Sequence, residues 1–108
     1  MTHKPCPPIA VLWDPKIEHL YKRLREDDPL KIAIKKGRDI LSRDRYAAKY
    51  RVPKKRIPPR YKERMGIYSL YVLRIDEAKR LCYTIVEGKV LVIDVFRDHA
   101  SYEDVFGY

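Results

Sequence analysis

The chain has 108 residues and a formal net charge of +9, and 45% of its residues are hydrophobic. This length suits one small domain with a single core, and the apolar content, with nine tyrosines, excludes a wholly disordered chain. The uncharged apolar runs are far shorter than a membrane span, and the N-terminus lacks the apolar stretch of a signal peptide. We therefore expect a cytoplasmic protein with no membrane partner.

The first 14 residues are rich in proline and predict an extended leader, which the single domain of residues 15–108 follows. Residues 9–13 form an apolar run that fits either a short first strand or a strip lying on the core. Cys6 lies in this leader and Cys82 lies inside a predicted strand, and neither has the spacing of a metal ligand. We expect Cys82 to be an inert core residue.

Two helix starts follow the leader. Asp14-Pro15 and Asp28-Pro29 each join a capping carboxylate to a proline that suits the first helical position. Apolar residues recur at helical spacing after each start, although Gly37 weakens the second helix. The first helix is expected to end near residues 27–28, so the two helices predict a helical hairpin.

A basic arm, residues 43–64, comes next and carries most of the net charge. It holds ten Lys and Arg residues against Asp44 and Glu63, so these 22 residues account for eight of the nine net positive charges. Three prolines predict a non-helical segment with at most one helical turn around residues 46–50. Tyr46, Tyr50 and Tyr61 lie among the cations and offer flat faces for base stacking.

A nucleic acid is the partner that such a charge pattern favours, and a merely solvated charged loop is the alternative. The residues assigned to RNA binding are Lys54, Lys55, Arg56, Arg60, Tyr61 and Arg74.

After Gly66 the hydrophobic pattern changes to the period of two that is typical of strands. A first strand around residues 68–75 is followed by a polar turn, a second strand over residues 80–86, a turn at Glu87-Gly88 and a third strand over residues 89–96. The tail predicts one helical turn. The expected class is α+β, with a helical hairpin on one face of an antiparallel sheet that ends in a three-stranded meander.

Polar residues interrupt this meander at one end. Arg80 begins the second strand, and Arg97 and His99 follow the third, so an antiparallel arrangement brings them together, with Tyr102 nearby. Arginine stabilises charge on phosphate oxygens and histidine moves protons near neutral pH, which suits RNA cleavage by the 2′-OH without a metal or cofactor. The alternatives are a surface His99, a solvated Arg80 and a Tyr102 that packs beneath the sheet.

The stretch of residues 74–85, Arg-Ile-Asp-Glu-Ala-Lys-Arg-Leu-Cys-Tyr-Thr-Ile, resembles the signature of a basic strand, a turn and Arg-Leu-Val-Tyr in the RelE/YoeB superfamily. These proteins are the toxins of type II toxin–antitoxin systems. The ending Arg97-Asp98-His99 resembles the YoeB type, in which an Arg and a His close the last strand. The resemblance covers roughly residues 66–102, and the helical hairpin fits the same order of elements.

The resemblance implies a microbial RNase fold and a ribosome-associated endonuclease that cuts mRNA, with a small acidic antitoxin covering its basic cleft. Arg80 then matches the arginine that stabilises the phosphate, and His99 matches the general acid. Tyr102 stands near the position of a tyrosine that stacks on the substrate. No cofactor is implied.

Two features depart from the family pattern. Leu70 and Val72 stand where RelE-type toxins have two lysines, and the glutamate base of the YoeB type has no clear counterpart. Lys54, Lys55 and Glu63 are then the nearby candidates for the base. A non-catalytic nucleic-acid-binding or ribosome-binding protein on the same fold, and a ParE-like topoisomerase inhibitor, are the alternative functions.

Overall fold

Strands from both halves of the chain form one five-stranded sheet. The computed structural model describes residues 9–107, apart from the side chain of Arg64, so Cys6 and most of the predicted leader lie outside the described residues. The strands are β1 (Val11–Trp13), β2 (Tyr50–Val52), β3 (Leu70–Arg74), β4 (Arg80–Val86) and β5 (Lys89–Phe96). Their order in the sheet is β1-β5-β4-β3-β2.

The predicted α+β class and the meander β3-β4-β5 are confirmed, with β4 and β5 at the predicted bounds. The expectation of a wholly antiparallel sheet is wrong, because β1 lies parallel to β5 and pairs Val11 with Val90. Residues 11–13 thus belong to the sheet, as the strand alternative predicted.

Two helices follow β1 as the proline starts predicted, α1 (Pro15–Arg23) and α2 (Pro29–Arg43). The side chains of Asp14 and Asp28 accept hydrogen bonds from the backbone N–H groups of Lys16 and Leu30, at 3.0 and 2.8 Å. Each carboxylate satisfies a donor that the helix leaves without an internal partner. Both predicted helix starts are therefore confirmed.

The basic arm is more ordered than predicted. It contains β2, a 3₁₀ turn at Lys54–Arg56 and all but the last residue of the helix α3 (Pro59–Met65). The prediction of a non-helical arm is wrong here because Pro59 stands at the start of the helix, where a missing N–H costs nothing. Gly66, at φ 66°, ends the helix in the left-handed conformation that glycine adopts easily. The tail forms α4 (His99–Phe106), which exceeds the single predicted turn.

Helices cover both faces of the sheet, so the expectation of one covered face is also wrong. One buried cluster joins Leu73, Leu81 and Tyr83 of the sheet to Ile17 of α1 and Leu41 of α2. The other cluster, on the opposite face, contains Val72, Cys82, Phe96, Tyr61 of α3 and Tyr102 of α4. Cys82 is fully buried, as predicted, and burial raises the pKa of its thiol well above the usual value.

A β-bulge interrupts the pairing of β4 with β5. Tyr83 lies opposite Val92 and Cys82 lies opposite Asp94, so Ile93 is one residue more than β4 can match. An extra residue of this kind reverses the side on which later side chains lie. Beyond the bulge, Phe96 therefore faces α3 and α4.

None of the helices within residues 9–107 combines the length and the apolar character that crossing a membrane requires.

Candidate nucleic-acid interface

A cleft of about 540 Å³ lies where β3 and β4 meet the start of α4. It is referred to below as the cleft. Its lining comes from the loop before β2, from the sheet and from α4. The residues are Ala47, Lys49, Tyr50, Val72, Leu73, Arg74, Arg80, His99 and Tyr102. The structure thus brings together four residues that the sequence assigned to function, Arg74, Arg80, His99 and Tyr102.

Arg74 and Arg80 lie directly opposite each other on β3 and β4. Nη1 of Arg80 donates hydrogen bonds to the carbonyl oxygens of Asp76, at 2.9 Å, and Glu77, at 3.2 Å, and Nε of Arg74 also donates to the Asp76 carbonyl, at 3.4 Å. A carbonyl oxygen accepts a hydrogen bond without neutralising the positive charge. Two guanidinium groups with like charge therefore face the cleft side by side.

The Asp76 carboxylate is occupied within the turn that joins β3 to β4. Its Oδ1 accepts hydrogen bonds from the backbone N–H groups of Ala78 and Lys79, and its Oδ2 lies 3.1 Å from Nζ of Lys79. These donors, the Lys79 N–H foremost, lower the pKa of the Asp76 carboxyl group. The carboxylate closes the turn that holds both arginines in place.

His99 begins α4, and its ring is held on two sides. Nε2 lies 2.8 Å from Oε1 of Glu103, one helical turn later, and the ring stacks on Tyr102 with centroids 6.0 Å apart. The side chain is 58% exposed, so substrate can reach it. Glu103 was not among the predicted site residues, although its spacing of four residues within a helix could have indicated it.

The Tyr102 ring is mostly buried, with 6% of the residue exposed. It stacks on Phe106 at a centroid distance of 4.5 Å and meets Phe96 edge-on at 5.6 Å. This packing agrees with the alternative that Tyr102 lies beneath the sheet surface. The ring forms part of the cleft wall and supports His99.

Arg97 does not join this group. Its Nη1 lies 3.1 Å from Oδ1 of Asp28, the residue that caps α2, on the opposite side of the sheet from the cleft. The expected convergence with Arg80 fails because the bulge at Ile93 turns Arg97 away from the face that Arg80 shares with Phe96. The Arg97 guanidinium, followed by the Leu30 N–H, lowers the pKa of the Asp28 carboxyl group.

The cations assigned to RNA binding in the basic arm are exposed but lie outside the cleft. Lys55 and Arg56 line a second groove, of about 530 Å³, with α4 residues that include Asp104. Lys54 lines a third groove, and Arg60 lies on α3 with its guanidinium 5.7 Å from the Tyr61 ring centroid. The cleft instead uses Lys49, which the RNA-binding assignment missed although Lys49 belongs to the same arm.

Tyr61 is not available for base stacking, because 0% of the residue is exposed. Its hydroxyl donates a hydrogen bond of 2.7 Å to Oδ2 of Asp94, and burial raises its pKa. The assignment of Tyr61 to RNA binding is therefore wrong. Its spacing between arginines suggested exposure, whereas the unpredicted helix α3 turns the ring into the core.

The three base candidates do not line the cleft. Lys54, Lys55 and Glu63 are exposed elsewhere on the arm. Among the described residues, the carboxylate next to the cleft histidine is that of Glu103.

Comparison of the chain with family models, curated proteins and solved structures finds no match, so the resemblance to the RelE/YoeB superfamily stays a sequence-based prediction.

Proposed function

We propose that this protein is an endoribonuclease that acts without a metal ion and holds the RNA backbone in the cleft. The observation that carries the proposal is the direct pairing of Arg74 with Arg80 in a cleft that also contains His99. Like charges opposite each other on neighbouring strands destabilise a sheet. A phosphate group bound by both guanidinium groups removes that repulsion and forms the strong, charge-assisted hydrogen bonds that arginine makes.

The proposed reaction cleaves the chain by attack of the 2′-oxygen. This oxygen forms a bond to phosphorus while the bond from phosphorus to O5′ breaks, leaving a 2′,3′-cyclic phosphate and a 5′-OH. Arg74 and Arg80 stabilise the charge on the nonbridging oxygens. His99 gives a proton to O5′ through Nδ1, because Nε2 is held by Glu103, and the 2′-OH proton passes to solvent water in the open cleft.

The resemblance points to mRNA on the ribosome as the substrate and to a small acidic antitoxin as the protein partner. The arm of residues 43–64, with eight net positive charges, suits both polyanions. Lys54, Lys55 and Arg56 remain proposed RNA contacts along the exposed arm, outside the reacting centre.

The test uses the full chain and end-labelled single-stranded RNA, with and without ribosomes, in the presence of EDTA. We expect cleavage to products that end in a 2′,3′-cyclic phosphate, and none at a site whose nucleotide carries a 2′-deoxyribose. Arg80→Ala and His99→Gln should each slow cleavage by about 100-fold or more. Arg38→Ala is the matched control, because Arg38 is exposed on α2 beside Trp13 and Tyr21, in another groove. Equal rates in all variants would refute the mechanism.

A second candidate is a non-catalytic RNA-binding protein on the same fold. It is favoured by the position of Arg97 on the Asp28 side of the sheet and by the absence of the predicted bases from the described cleft lining. This candidate predicts RNA binding that weakens steeply with salt and no cleavage of any RNA. Binding and cleavage measured on the same protein preparations distinguish the nuclease from the non-catalytic RNA-binding protein.

A further inference from the structure

We propose that the exposed ring of Tyr46, supported by Tyr71 and Arg51, forms a platform on which one base of a single-stranded RNA stacks. The inference rests on the proposed function in that the same strand occupies the cleft. The Tyr46 ring meets the Tyr71 ring edge-on, with centroids 6.2 Å apart, and the Arg51 guanidinium carbon lies 5.6 Å from the Tyr71 centroid. Aromatic faces beside a guanidinium group are the surfaces that bind unpaired bases.

Tyr46 is 63% exposed, so a ligand can reach its ring. Tyr50, which follows in the same segment, is also exposed and lines the cleft. The third tyrosine of the arm, Tyr61, is buried. The structure thus separates the arm tyrosines into one that packs in the core and two that a ligand can reach.

Three hydrogen bonds fix the loop that carries Tyr46. The hydroxyl of Tyr83 donates a 2.7 Å hydrogen bond to the Arg45 carbonyl and accepts one from the Ala48 N–H at 3.4 Å. Burial raises the pKa of Tyr83 to about 12. Oδ1 of Asp44 also accepts from the Tyr46 N–H at 2.9 Å. A base therefore meets a ring whose position is already fixed, which lowers the entropy cost of binding.

This loop joins the platform to the cleft. Tyr71 packs with the cluster that faces α1 and α2, whereas its neighbour Val72 lines the cleft. Ala47, directly after Tyr46, and Lys49, three residues after it, line the cleft as well. A strand whose phosphate lies between Arg74 and Arg80 must follow this loop to place another of its bases on Tyr46. A flexible single strand can adopt such a path, whereas a stiff duplex with paired bases cannot.

The chain provides a close control. Tyr68 is 65% exposed, nearly the same as Tyr46, and lines a neighbouring groove that also includes Arg51 and Lys54. Replacing Tyr68 removes an equally exposed ring close to the same cations, so a loss of binding confined to the Tyr46 variant is specific to the Tyr46 ring. The experiment thus compares Tyr46→Leu, Tyr46→Phe and Tyr68→Leu with the wild type, and circular dichroism checks that each variant is folded.

The probe is a 2′-O-methyl RNA of about ten nucleotides that contains 2-aminopurine, because 2′-O-methylation prevents cleavage and 2-aminopurine reports stacking. We expect Tyr46→Leu to weaken binding by roughly 5- to 100-fold and to abolish 2-aminopurine quenching, since one stacked base is lost. Tyr46→Phe should bind within about twofold of the wild type, because the ring is retained. Tyr68→Leu should bind like the wild type.

The slope of log affinity against log salt should not change in Tyr46→Leu, because no phosphate contact is removed. A duplex of the same sequence should show a much smaller effect of Tyr46→Leu.

Wild-type affinity in Tyr46→Leu would overturn the platform, and so would an equal loss in Tyr46→Phe or in Tyr68→Leu. Binding that depends on Tyr46 without cleavage of natural RNA refutes the proposed nuclease and leaves the platform standing. Cleavage with no dependence of binding on Tyr46 refutes the platform alone.

Discussion

The hydroxyl of Tyr61 and the carboxylate of Asp94 form a buried hydrogen bond of 2.7 Å that joins α3 to the bulge in β5. We expect Tyr61→Phe to lower the free energy of unfolding by about 1–3 kcal/mol, because a buried carboxylate loses a donor. Urea unfolding at pH 7 measures this change. Tyr68→Phe, which removes an exposed hydroxyl, should change stability by less than about 0.5 kcal/mol. Equal stability of the two variants would show that the bond contributes nothing net.

Gly37 lies in the middle of α2, where the helix approaches the sheet closely. A Cβ atom at this position would lie 3.0 Å from Cδ1 of Leu81 and 3.3 Å from Cδ1 of Ile75. Alanine improves helix propensity by about 1 kcal/mol, but crowding a packed core typically costs about 1–3 kcal/mol. We therefore expect Gly37→Ala to be destabilised by about 1 kcal/mol in chemical unfolding. A gain in stability would mean that Leu81 and Ile75 relax at no cost, and the exposed Lys36→Ala gives the baseline.

The Asp28–Arg97 ion pair predicts a stability that depends on pH. Arg97 lowers the pKa of Asp28 in the folded protein, so the pair stabilises the fold above the ordinary Asp pKa of about 4. This contribution is lost as the pH falls through the lowered folded pKa. Thermal unfolding of Asp28→Asn should show a lower Tm than the wild type at pH 7 and a gap that closes below about pH 4. Asp27→Asn should follow the wild type throughout, and a gap that does not vary with pH would contradict the assignment.

The Arg74–Arg80 pair predicts opposite effects on stability and on RNA binding. Arg74→Thr relieves the repulsion, so we expect a gain of a few tenths of a kcal/mol at low salt that disappears at high salt. RNA affinity should fall in the same variant, with a salt slope smaller by about 0.7. Lys89→Thr is the control, because Lys89 lies opposite the uncharged Val86. A loss of stability in Arg74→Thr would argue against the repulsion.

The sequence predicted the elements whose signals are local. The bounds of β4 and β5 follow from their apolar residues and from the turn at Glu87-Gly88, where both residues adopt positive φ angles of 50° and 77°. The capping aspartates predicted the starts of α1 and α2 equally well. Tertiary contacts determine the other elements. β1 forms a strand because it pairs with β5, about 80 residues away along the chain.

The candidate site was predictable only in part, for the same reason. Arg80 and His99 share the cleft because strand order alone brings them to one end of the sheet. The role of Tyr61 was missed because proline in the arm was interpreted as a helix breaker, whereas Pro59 starts α3 and buries the ring. Arg97 was misplaced because a bulge has no reliable signature in a strand that is almost wholly apolar.

Because of the extra residue at Ile93, Arg97 forms an ion pair with Asp28 whereas Arg80 lines the cleft, although the two side chains have the same chemistry. Deleting one residue there would place the Arg97 guanidinium on the Arg80 side of the sheet instead of the Asp28 side, with no change of amino acid at Arg97. An insertion or deletion at this point can therefore exchange a structural ion pair for a third cation in the cleft. Relatives of this chain that differ in length within β5 should differ in how firmly they hold phosphate, even where their arginines align.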